Sequence, residues 1–74
     1  MMSRYCVEAV NMDMATDRIS RFIPEGVAVT AEDAIMQVFY PGGQPANNLP
    51  FGSYRVTVYI NNMRTVETST YRFN

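Results

Sequence analysis

The side chains that could do chemistry here are seven carboxylates, six arginines, five tyrosines and the single Cys6. The chain has no histidine and no lysine. Within one chain that removes Ser-His, Cys-His, Ser-Lys and Schiff-base machinery. The carboxylate pairs have structural roles to fill. Glu32 and Asp33 follow Thr30, where a helix start favours negative charge. Asp13 and Asp17 flank a turn-like run without the ligand density of a calcium loop. One cysteine without histidine makes no ordinary zinc site. Cys6 sits in an apolar run, where it serves as a small buried filler with no activating neighbour in view. Gly42-Gly43 leads into a loop, not into a helix that would cradle phosphate. No catalytic, metal or cofactor site is expected, and the chain reads as a non-enzyme that acts by contact.

One constellation suits nucleic acid. Arg55 and Tyr59 lie two registers apart on the outer face of a strand of period two. Arg64 joins them if the following turn has two residues. Basic and aromatic groups on a sheet face can hold phosphates and stack bases. The net charge of −1 falls short of a basic footprint, so nucleic acid is not the expected partner. The charge is uneven, however. Residues 1–37 are net acidic and residues 38–74 are net basic.

These groups must be positioned by a small fold. The first strand should run from Arg4 to about Met12, apolar on both sets of alternating positions, as an interior strand is. Residues 13–17 are turn-like. Arg18–Ile23 can be a second strand or, from the spacing of Ile19, Phe22 and Ile23, one helical turn; the strand is preferred. Pro24, Glu25 and Gly26 turn the chain, and Val27–Val29 should be extended. Thr30 caps a helix from Ala31 to about Tyr40, stopped by Pro41. Its core stripe is Ala31, Ala34, Ile35, Val38 and Phe39. Met36 and Tyr40 fall near the opposite side.

Pro41–Gly52 forbids regular structure through its glycines and prolines. Long loops in compact domains are often functional. Phe51, beside the next strand, is expected to plug down onto the core, and Leu49 to be offered outward. Ser53–Phe73 then forms a hairpin turning at Asn61-Asn62. A two-residue turn would set Val56 opposite Glu67 and place that carboxylate on the apolar face. A three-residue turn sets Val58 opposite Val66 and turns Glu67 outward. Burying an unpaired carboxylate costs several kcal/mol, which favours the three-residue turn.

The expected fold is α+β, ββαββ, with a four-stranded antiparallel sheet and one helix packed on one face, as a single domain over residues 1–74. The opening residues lack the apolar run of a signal peptide, no segment reaches membrane-spanning length, and a lone cysteine suits a reducing cytoplasm.

The expected function is a protein-binding module. Its contact surface would be Met36, Tyr40, Leu49 and Phe51, rimmed by Glu32 and Asp33, since aromatic and Met groups ringed by charge are what interface centres use. In size, mild acidity and lack of catalytic residues the chain resembles, by class and not by motif, small phage-encoded inhibitors of host machinery such as anti-CRISPR proteins. That likeness implies work in the host cytoplasm and a basic, nucleic-acid-binding host protein as partner. It would be blocked sterically or by an acidic mimic made of Asp13, Asp17, Glu25, Glu32 and Asp33. The alternatives are a single-stranded nucleic-acid binder using Arg55, Tyr59 and Arg64, and a homodimer formed by pairing of exposed edge strands.

Overall fold

A computed structural model describes residues 3–14, 18–61 and 63–74, with side chains at all of these but 63–68. The elements are β1 (Tyr5–Asn11), β2 (Arg18–Ile23), α1 (Ala31–Phe39), a short 3-10 turn (Pro41–Gly43), β3 (Gly52–Ile60) and β4 (Met63–Phe73). The strands form one antiparallel sheet in the order β2-β1-β3-β4, with α1 packed on one face. This is the expected ββαββ architecture.

Strand β1 buries Tyr5, Val7, Ala9 and Asn11 and leaves Cys6, Glu8 and Val10 half-buried on the other face. Its apolar character on both sides reflects its interior place between β2 and β3, not cover on both faces. Cys6 is therefore not in the core; its Sγ lies 3.8 Å from Ser20 Oγ on the open side. Arg18–Ile23 is a strand. Ile19 faces Ala9 and Ile23 faces Tyr5, so both point toward the helix side. Phe22 pairs with Cys6 and stands 74% exposed. The helical spacing of Ile19, Phe22 and Ile23 was thus coincidental. Val27–Val29 is not extended as expected. Val27 N–H closes a turn onto Pro24 O at 3.1 Å, and only Ala28 of the three is buried.

Helix α1 begins as its sequence requires. Thr30 Oγ1 accepts from Asp33 N–H at 3.0 Å, and Asp33 Oδ2 accepts from Val29 N–H at 3.1 Å. The carboxylate reaches one residue further back than in the usual capping box. Ala34, Ile35, Val38 and Phe39 are buried against Tyr54, Val56 and Val58. Phe39 sits at the centre of an aromatic cluster. Its ring centroid is 5.1 Å from Tyr54, 4.6 Å from Tyr71 and 5.1 Å from Phe73.

The hairpin register differs from both sequence alternatives. Ile60 pairs with Met63, as in a two-residue turn, and Asn61 takes the positive φ of 52° that such a turn needs. Asn62 lies outside the described residues. The pairing then shifts between Val58 and Ile60, so that Val58 faces Glu67 and Val56 faces Ser69. Two extra residues in β4 absorb the shift, as a bulge does. The physical reason lies at the other end of the hairpin. This pairing sets Tyr54 opposite Tyr71 and Gly52 opposite Phe73, which places Phe73 in the core at 0% exposure. The expected three-residue turn would have turned Tyr71 and Phe73 outward, because a one-residue slip flips the whole strand. Two large aromatics outweigh the carboxylate at position 67, whose side chain lies outside the described residues. The turn is latched to β1. Arg4 O accepts from Asn61 N–H at 2.8 Å, and Arg4 N–H donates to Asn61 Oδ1 at 3.0 Å.

Candidate functional site

Two surfaces emerge, one on each side of the sheet. The first lies on the helix side, where the C-terminal turn of α1 meets the end of β4. Met36 is 44% exposed and accepts at Sδ from the Tyr71 hydroxyl at 3.7 Å, a weak contact. Tyr71 stacks on Phe39 at an interplanar angle of 26°. The ring of Tyr40 meets Phe73 edge-on at 5.3 Å, and its hydroxyl donates to Asn74 O at 3.1 Å. Phe51 stands 64% exposed with its ring 5.0 Å from Phe73. Two segments distant in sequence, the end of α1 and the loop before β3, thus converge on the Tyr71 and Phe73 pair of β4.

The loop residues exchange their expected roles. Leu49 is half-buried against the core, whereas Phe51 is the one offered outward. The Tyr54 hydroxyl donates to Pro50 O at 2.6 Å, which fixes the loop between them. Of the two acidic residues expected at its rim, exposed Glu32 lies one helical turn before Met36 on the same face of α1, and Asp33 follows it. They stand at the N-terminal end of α1, and Asp33 is occupied by the cap. Burial raises the Tyr71 phenol above its ordinary pKa, and neighbouring Tyr40 adds to the rise.

Among the described residues of the acidic set, Asp13 and Glu25 stand apart. Asp13 follows β1 at the end of the sheet that holds Asn11 and Arg18. Glu25 follows β2 at the opposite end, beyond Ile23 and Tyr5. Asp17 lies outside the described residues.

The second surface is the open face of the sheet. Arg55 and Tyr59 share it, as their spacing in β3 requires. The Arg64 side chain lies outside the described residues. The strand pairing adds residues that the sequence did not single out. Val10 faces both Arg18 and Arg55, so the two arginines flank it in one cross-strand row. Arg72 pairs with Ser53 and donates from Nη1 to its Oγ at 3.3 Å. Phe22 and Tyr59 flank Cys6 in another row. The Tyr59 hydroxyl donates to Glu8 Oε1 at 2.8 Å. A shallow groove of about 530 Å³ runs between Glu8, Arg18, Arg55 and Tyr59. The signal for Arg18, Phe22 and Arg72 was their even spacing within their strands, but it acquires meaning only once strand order is known.

Among the described residues no three His, Cys, Asp or Glu side chains come together as metal ligands, and no helix is long and apolar enough to cross a membrane. Compared with known proteins, the chain matches no family model, no curated protein and no solved structure.

Proposed function

We propose that this chain is a non-enzymatic protein-binding module that works by steric blocking or bridging. The observation that carries this is the convergence of Met36, Tyr40 and Phe51 on Tyr71 and Phe73. Met36 and Phe51 are exposed while the rings beneath them are packed against Phe39. Anchors already held by a packed core lose little entropy on binding, and aromatic and Met side chains dominate interface energetics. The contact surface is therefore Met36, Tyr40 and Phe51, with Leu49 as support below. An inhibitor of host machinery, of the anti-CRISPR kind, is the most specific form of this proposal. Steric blocking suits it better than acidic mimicry, because Asp13 and Glu25 stand at opposite ends of the sheet.

The test is capture of a partner from cells of the native host by the wild-type chain and by the Met36→Glu, Phe51→Glu double variant. Both positions are exposed, so the variant should melt within a few degrees of the wild type. A partner held by the wild type and lost by the variant supports the proposal. Equal capture by both would show that this ridge is not the binding surface.

A further inference from the structure

We propose that the open face of the sheet is a docking surface for single-stranded nucleic acid, gripped through phosphates and base faces without regard to the sugar. This goes beyond the protein-binding ridge and lies on the other side of the sheet from it. Pairing alone puts Arg18, Arg55 and Arg72 on one face, one from each of three strands. Arg18 and Arg55 flank Val10 in one row, and Arg72 lies one register further along β4. Neighbouring strands lie about 4.8 Å apart, so the guanidiniums spread across most of the sheet's width. Toward the other end of the same face stand Phe22, 74% exposed, and Tyr59. Glu8 lies between, with one oxygen held by the Tyr59 hydroxyl.

The local charge is therefore opposite in sign to that of the whole chain. A stripe of arginine beside the exposed Phe22 ring and the half-buried Tyr59 ring suits a polymer that carries phosphates on one side and flat bases on the other. An acidic peptide would use the arginines but leave Phe22 without a partner. A duplex would keep its bases stacked inside, out of reach of both rings. The grip rests on phosphates and base faces, which DNA and RNA strands share, so the two should bind alike.

The experiment is fluorescence anisotropy of labelled single-stranded oligo-dT and oligo-rU, titrated with salt, beside a duplex of equal length and a polyglutamate peptide. Three phosphate contacts give a slope of log affinity against log salt of about −2. Arg55→Gln should flatten that slope by about 0.7. Phe22→Ala should weaken binding at least about five-fold at unchanged slope, as loss of one stacked base does. The Met36→Glu, Phe51→Glu variant should bind as the wild type does, which separates failure here from failure of the protein-binding ridge. The proposal is overturned by absence of binding at low salt. It is equally overturned if duplex or polyglutamate binds as tightly as single strands, if one sugar is preferred more than about ten-fold, a margin above 1.4 kcal/mol, or if Arg55→Gln and Phe22→Ala change nothing.

Discussion

Tyr59 on β3 donates its hydroxyl to Glu8 Oε1 on β1 at 2.8 Å, across the open face of the sheet. The two are not direct partners. Cys6 faces Tyr59 and Glu8 faces Thr57, so the hydroxyl reaches along a diagonal. The bond holds a carboxylate in place beside Arg18 and Arg55, which line the same groove, where a bound phosphate would meet it. Hydrogen bonds to charged groups are the stronger kind, so this contact helps fix the Tyr59 ring.

Glu8→Gln should therefore tighten oligonucleotide binding. The carboxamide oxygen still accepts from Tyr59, so the face keeps its shape while one negative charge is removed. A charge about 7 Å from a phosphate in water-like surroundings is worth ~0.6 kcal/mol, or about a three-fold gain in affinity. Anisotropy at low salt measures it, and unchanged or weaker binding would count against the open face as the docking surface.

Phe73→Ala and Phe51→Ala should separate sharply in stability. Phe73 is wholly buried against Phe39, while Phe51 is 64% exposed. Truncating the first should cost about 3–5 kcal/mol, enough to unfold much of so small a domain. Truncating the second should cost under ~1 kcal/mol. Urea titration gives both numbers. Assigned cross-strand NOEs add the register: 56 with 69 and 54 with 71 for the pairing found, against 56 with 68 for a three-residue turn. Similar costs for the two truncations, or the latter NOEs, would contradict the pairing.

The same residues show how far the sequence could be read. The period-two runs, the Thr30 cap and the Pro41 stop are local signals, and they place five elements and the helix's buried stripe correctly. The register is not local. Near Asn61 a single carboxylate looked decisive, yet Phe73 and Tyr71, ten or more residues away, control which face of β4 is buried. Leu49 and Phe51 exchanged roles for a related reason. Both are apolar loop residues, and the tether from Tyr54 to Pro50 O, which fixes the chain between them, is not visible in their local sequence. The open face was legible only as Arg55 and Tyr59. Arg18, Phe22 and Arg72 joined them once β1 was known to lie between β2 and β3.

Alkaline pH should destabilise the wild type in a way that Tyr71→Phe partly escapes. The folded-state pKa of Tyr71 is raised, chiefly by burial and secondarily by Tyr40. Above the ordinary tyrosine value of about 10 the unfolded chain loses this proton while the folded chain keeps it. Unfolding then releases a proton, so the stability that Tyr71 contributes is full below that pH and lost as pH rises through the folded value. Thermal melts across the alkaline range, with tyrosinate absorbance as a second readout, should show a steeper loss for the wild type than for Tyr71→Phe. Parallel losses would mean that this phenol does not control the alkaline limb.

Gly52 should resist substitution because of its backbone, not because of its neighbours. It opens β3 with φ of 150°, and an added Cβ would lie 3.4 Å from Asn11 Nδ2. That contact is close but tolerable, whereas this region of backbone space is almost closed to other residues and costs of order 1–3 kcal/mol. Asn11 has its own task. Only 2% exposed, it accepts at Oδ1 from Asp13 N–H at 2.8 Å and Met14 N–H at 2.9 Å, which folds the chain over as it leaves β1. Asn11→Ala should cost about 1–3 kcal/mol by stripping two amides of their acceptor. In a double-mutant cycle the two losses should then nearly add, since removing Asn11 relieves the crowding and leaves φ untouched. If Asn11→Ala instead rescued Gly52→Ala, crowding by the side chain would be the reason for glycine at the start of β3.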